Sequence, residues 1–289
     1  MTLLIHYLQL TVIMSVCMTL GLFTIVGTDR ISVVYGEYRS RLFDALPHLG
    51  LLGIVFVLSR FWRPLGGELA WTVGLNITHT LYTIEGHLVA YVQGFATTEL
   101  TWVLSIVYVF GYVFLLVFPL VAYLFLDDLR PLRVTTLAYA INYLVGLVCY
   151  TVFIAYGPRN YMPGEVEGLM YDVWPEIETL TTHINANTNV FPSLHVSLSI
   201  TIALLAWLTR DSYPRWLYVS APLALAVAFS TMYLGLHWGV DVVAGVLLAV
   251  GSVAVASRIA AEETEHSVIT RTGRQMLTTA LRSFRQVKE

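Results

Sequence analysis

Two short runs carry the residues best suited to chemistry. The first is Asn189-Val-Phe-Pro-Ser193-Leu-His195-Val-Ser197, and the second runs from Ser230 through His237 to Asp241. His237 and Asp241 are four residues apart, so on a helix they share a face. A carboxylate in that position can hold an imidazole in one tautomer, which a histidine needs in order to act as a nucleophile or a base. Two apolar segments, Ser197–Leu208 and Trp216–Phe229, lie between the runs and are joined by the polar turn Thr209–Arg215. If both segments cross a bilayer as helices, His195 and His237 return to the same side.

Composition supports that picture. Of 289 residues, 57% are hydrophobic and only 12% are charged, against about 25% charged in soluble domains. A soluble globular protein is excluded, and an integral membrane protein with spans of about 20 apolar residues is expected. The net charge of −3 comes with no basic cluster of the kind that binds nucleic acid. Cys17 and Cys149 each sit inside an apolar run and read as packing thiols.

The expected spans are Leu8–Gly27, a short run at Leu46–Phe61, Leu100–Leu126, Val134–Tyr156, Phe191–Leu208, Arg215–Met232 and Leu236–Ser257. Thr28–Asp44 reads as a polar connection. Trp62–Glu99, where Arg63, Glu68, His79, Glu85, His87 and Gln93 interrupt apolar residues, reads as an interfacial segment. Residues 1–133 thus form N-terminal spans, 134–258 a catalytic membrane core, and 259–289 a cytoplasmic tail, either amphipathic (Met276, Leu277, Ala280, Leu281, Phe284) or solvated. With the N-terminus outside, the Arg-bearing connections and the tail fall together on the cytoplasmic side, as the positive-inside rule requires. The acid-rich loop Gly157–Val190 and both histidines then face outward, away from the cytoplasm, with the cell membrane as the expected location. Asn76-Ile77-Thr78 is a glycosylation triplet on that outer side. His6, His48, His79, His87 and His183 read as packing or interfacial residues, Asn142 and Pro119 as packing or kink positions, and Gly235, Gly239 and Gly245 as close-packing positions.

Pro192-Ser193-Leu194-His195, followed by Ser230-x6-His237-x3-Asp241, resembles two signature motifs of the type-2 phosphatidic acid phosphatase superfamily, Pro-Ser-Gly-His and Ser-Arg-x5-His-x3-Asp. Leu194 in place of Gly, and Thr-Met-Tyr-Leu after Ser230, are closer to the inositol-phosphorylceramide synthase-like, lipid phosphotransferase branch. The resemblance implies an all-α polytopic membrane bundle of six or seven transmembrane helices. It implies that His237 attacks phosphorus to form a phosphohistidine, that Asp241 orients it, and that His195 serves as acid and then base. Ser193, Ser230 and Arg159 would bind the substrate phosphate, with no metal and no cofactor. The substrate would be a membrane lipid phosphate or phosphodiester, and the acceptor a hydroxyl or water. Head-group transfer is slightly preferred, with a plain lipid-phosphate or polyprenyl-pyrophosphate phosphatase as the alternative. Two departures stand out. The family's first motif, Lys-x6-Arg-Pro, is reduced here to Tyr156-Gly-Pro-Arg159-Asn-Tyr161, and the Arg of the last motif is Thr231. A catalytically inactive lipid-binding or transport protein is the reading from another class. A metal site at His195, His237 and Asp241 is a minor further reading.

Overall fold

The computed structural model describes residues 2–177 and 187–286, with side chains from Leu8 to Glu262 except Tyr35. His6, His183 and the side chains of the tail lie outside that range, so the amphipathic pattern expected at Met276–Phe284 does as well. The chain folds as an all-α polytopic bundle. A bilayer offers no partners for backbone N–H and C=O groups, so apolar runs of this length become helices.

Helix α1 spans Thr2–Gly21 and α2 spans Thr28–Val73. A two-residue strand β1 (Leu75–Asn76) and the short helices α3 (Thr78–Glu85) and α4 (Leu88–Gln93) follow. Helices α5 (Thr98–Ile106) and α6 (Tyr112–Ala122) are joined by one π-helical turn into a single rod. Next come α7 (Arg130–Val152), β2 (Phe153–Ile154), α8 (Pro158–Tyr161) and α9 (Leu169–Val173). The chain closes with α10 (Leu194–Leu208), α11 (Pro214–Tyr233) and α12 (Gly239–Gln286). Among the described residues, six helices are long and apolar enough to cross a membrane, and the shorter apolar α10 is a seventh segment. Large apolar side chains such as Val148, Leu225 and Leu247 remain exposed on the bundle's flanks, as expected where lipid is the solvent.

The N-terminal third departs from the expected map. Thr28–Asp44 is not a connection but the first turns of α2, and Trp62–Val73, expected as part of a separate segment, is the end of the same helix. Polar residues and Pro47 and Pro64 suggested breaks, yet helices in a bundle tolerate proline because neighbours re-satisfy the freed carbonyls. Only 78–93 forms separate short helices. β1 pairs in parallel with β2, Leu75 beside Phe153 and Asn76 beside Ile154, so this segment is tied to the end of α7. The Thr78 hydroxyl of the glycosylation triplet is buried and accepts the Tyr156 N–H at 3.0 Å.

The two ends of the bundle differ in chemistry. At one end, arginines reach the carbonyls that close neighbouring elements: Arg41 to Leu126 (2.7 Å), Arg215 to Thr24 (2.7 Å) and Arg30 to Ser212 (3.3 Å). The core on that side is aromatic, with Phe118, Tyr123, Tyr139 and Trp216 buried. At the opposite end α3, α4 and α8 pack around Trp238 and Gly239 at the start of α12, and α9 packs against α5 and the end of α11.

Candidate active site

The turn between α11 and α12 places His237. Gly235, with φ +73°, ends α11 in the left-handed conformation that glycine adopts most readily. The Gly235 N–H donates to the Met232 carbonyl (2.9 Å), and the Leu236 and His237 N–H groups both donate to the Thr231 carbonyl (3.0 Å). This is a Schellman closure extended by one residue. Gly235 is therefore a turn glycine at the end of α11 as well as the close-packing position expected of it. A Cβ there would also meet the Glu167 carbonyl oxygen at 2.6 Å.

Asp241 does two jobs at the start of α12. Its Oδ2 accepts the Trp238 N–H at 2.9 Å, the acidic half of a capping box. The same Oδ2 lies 3.5 Å from His237 Nδ1, a contact within ion-pair range in which Nδ1 makes no hydrogen bond among the described residues. Its Oδ1 is buried with no hydrogen-bond partner among the described residues. The Asp241 carbonyl accepts the Ser193 N–H at 3.2 Å, joining the two motif runs directly. Gly245, one turn further along, lets α12 approach: a Cβ there would meet the Ser193 carbonyl oxygen at 2.7 Å.

Ser193 caps α10, its Oγ accepting the Val196 N–H at 3.4 Å. His195 follows in the first turn. Its ring centroid is 6.3 Å from that of His237, and it lies between Tyr108 (4.6 Å, stacked) and Tyr112 (4.4 Å). Further along α10, Ser197 bonds the Asn142 amide oxygen, and Asn142 Nδ2 donates to Thr201 at 3.2 Å. Asn142 is thus a packing residue that locks α7 to α10.

A model of the PAP2 superfamily matches residues 82–255, well over half of the chain. The chain belongs to the PAP2 superfamily. An uncharacterized protein of Methanocaldococcus jannaschii is 30% identical to it over 146 residues, 50% of this chain and 55% of that protein. The chain therefore spans about half the length of this curated relative. No solved structure matches the chain.

The PAP2 match begins within α3 and ends within α12, so it includes every site residue expected from the sequence. Their placements differ. His195, His237, Asp241 and Ser193 converge as described. Ser230 is fully buried and donates its hydroxyl to the Val227 carbonyl at 2.7 Å, leaving only its oxygen lone pairs for a ligand. Arg159 has its guanidinium 4.4 Å over the Tyr171 ring, and its Nη1 is buried with no hydrogen-bond partner among the described residues. Its N–H donates to the Gly235 carbonyl at 3.2 Å, which anchors α8 to the turn before His237. Arg159 lines a cavity of about 260 Å³ with Asn160, Glu167, Tyr171 and Asn187. Among the described residues, no group of three His, Cys, Asp or Glu side chains is arranged to hold a metal ion.

Sequence reasoning gave too little weight to several neighbours of the site. Tyr108 and Tyr112 lie in an apolar run and look there like any other packing aromatics. Tyr150 donates its hydroxyl to the Pro192 carbonyl at 3.1 Å. Glu85 Oε2 accepts the Val240 N–H at 3.0 Å, placing a second carboxylate at the start of α12, where the helix dipole favours one. Burial pushes the Glu85 carboxyl above the usual range, against the lowering effect of the Gly239 and Val240 amides. Gln93 bonds both Glu167 and Tyr233, and His79 and His87 bond Tyr161 and Glu165. The 78–93 segment is thereby stitched to the 153–167 segment beside the histidines.

Proposed function

We propose that this protein is a membrane enzyme that transfers the phosphoryl or phospho-head-group of a lipid through a phosphohistidine at His237. The observation that carries the proposal is the pairing of His237 with two different partners, Asp241 at Nδ1 and the His195 ring 6.3 Å away. With Nδ1 turned to the carboxylate, Nε2 is the nitrogen left to attack phosphorus. As the N–P bond forms, the P–O bond to the leaving group breaks, and protonated His195 gives its proton to the departing oxygen. His195 then removes a proton from the acceptor, whose oxygen displaces His237 and regenerates the free imidazole.

Ser193 at the start of α10 and Arg159 supply the hydrogen-bond donors and the charge that a phosphoryl group needs in a dry site. We place the site on the face away from the cytoplasm, since the arginine-rich end of the bundle is the opposite one. The acceptor we favour is a hydroxyl, making this a head-group transferase. Water as acceptor would make it a lipid-phosphate phosphatase.

A product assay separates these readings. Purified protein in detergent–lipid micelles, with chelator present, is given a labelled lipid phosphate and a labelled phosphodiester, beside His237→Ala. Label moving to a second lipid only in the unsubstituted protein supports transfer, and free phosphate supports hydrolysis. No His237-dependent product from either substrate would instead support an inactive lipid-binding relative.

A further inference from the structure

A phosphate drawn into an apolar pocket needs cations to offset its charge. The site described so far offers Arg159, and Thr231 stands where the family motif has an arginine. Ionisable residues inside membrane helices are costly and mark function, and α2 carries one on its inner face. Leu52, Val55, Ser59, Gly66 and Ala70 form a buried stripe at three- and four-residue steps, and Arg63, half-buried, falls in the same stripe. Arg60, three residues earlier, is exposed.

That stripe lies against α7. Phe56 meets Tyr143 edge-on with ring centroids 4.9 Å apart, and Trp62 Nε1 donates to Thr151 Oγ1 at 3.1 Å. At Gly66 the helices are so close that a Cβ would meet Trp62 Nε1 at 2.8 Å and Thr151 Oγ1 at 2.9 Å. The two helices rise together, 56 beside 143 and 62 beside 151, so Arg63 stands level with Tyr150. Tyr150 in turn bonds the Pro192 carbonyl, immediately before Ser193.

We propose that Arg63 is a phosphate-binding residue of the site, a cation delivered from α2 that offsets charge on the substrate's phosphoryl oxygens beside His195. The inference rests on phosphoryl transfer at His237, and it adds a residue outside the 82–255 family match. An arginine fork suits two phosphoryl oxygens at once.

The test uses orthovanadate, a phosphate mimic, as inhibitor of the full-length protein in micelles. Arg63→Gln is expected to raise the half-inhibitory vanadate concentration and to lower kcat/KM, each by about 10- to 100-fold, somewhat below the effect of losing a principal oxyanion donor. Arg63→Lys is expected to fall between Gln and the unsubstituted protein, and Arg60→Gln to match the latter. A folded Arg63→Gln with unchanged vanadate inhibition would overturn the inference. Should Arg63→Gln fail to fold, Arg63→Met, which keeps the apolar stem and loses the charge, is measured in its place, and unchanged vanadate inhibition there would overturn the inference equally. An unsubstituted protein that neither turns over substrate nor responds to vanadate would instead remove the phosphoryl-transfer reading beneath it.

Discussion

His237 and Asp241 are joined by an approach of 3.5 Å within one turn of chain, and Asp241 also holds the Trp238 N–H. The two tasks can be separated. Asp241→Asn keeps an oxygen for Trp238 but removes the carboxylate charge beside the imidazole proposed to depend on it. Its turnover is expected to fall by about 10²- to 10⁴-fold with little change in Tm. Asp241→Ala should lose the same activity and, in addition, roughly 1 kcal/mol of stability, the usual value of a helix cap. Steady-state kinetics and thermal unfolding of both variants check this, and equal stability of the two would deny Asp241 its structural task.

Glu85 yields a pH prediction at the same scale. Its folded pKa is raised, chiefly by burial, so its contribution to stability is present below the ordinary carboxylate range, near 4.3. That contribution is lost as pH rises through the folded value. Glu85→Gln can still accept the Val240 N–H but does not titrate. Thermal unfolding of the two proteins across pH 4 to 8 should show the unsubstituted protein losing stability relative to Glu85→Gln as pH rises. Parallel curves would contradict the assignment.

At the scale of elements, the site depends on how closely α12 approaches α10. Gly245→Ala would place a methyl 2.7 Å from the Ser193 carbonyl, and overpacking of this kind costs about 1–3 kcal/mol. The motif runs should separate, so activity is expected to fall more than stability does; unaltered kinetics in this variant would show that the approach is not needed. The sequence made the spans from Leu100 onward legible, because each is a long apolar run bounded by charge or glycine. It also made the His195–His237–Asp241 grouping legible, because four-residue spacing and two returning spans leave little geometric choice. α2 was not legible. Its arginines, Glu68 and two prolines look like interruptions when read along the chain, whereas their effect depends on α7 lying alongside. The tyrosines around His195 were hidden for a related reason: in a run that is apolar throughout, nothing local marks which aromatic ring faces a site.

For the whole molecule, the separation of chemistry between the two ends makes a topological prediction. With Cys17 and Cys149 replaced by serine, a cysteine introduced at Asn160, beside the candidate site, should react with a membrane-impermeant thiol reagent in intact cells. A cysteine at Asp211, in the turn between α10 and α11, should react only after permeabilisation. The reverse pattern would place the site on the cytoplasmic face and overturn the orientation proposed from the arginine distribution.

The central claim is that His237 carries the phosphoryl group during turnover, and it can be examined without knowing the natural acceptor. Protein incubated briefly with a phosphorus-labelled lipid phosphate or phosphodiester would be quenched in base and digested, and the labelled peptide sequenced. The account predicts acid-labile, base-stable label on the peptide containing His237, absent from His237→Ala and longer-lived when His195 is replaced by alanine, because the acceptor is then no longer activated. Turnover without such label, or label that persists in His237→Ala, would contradict it.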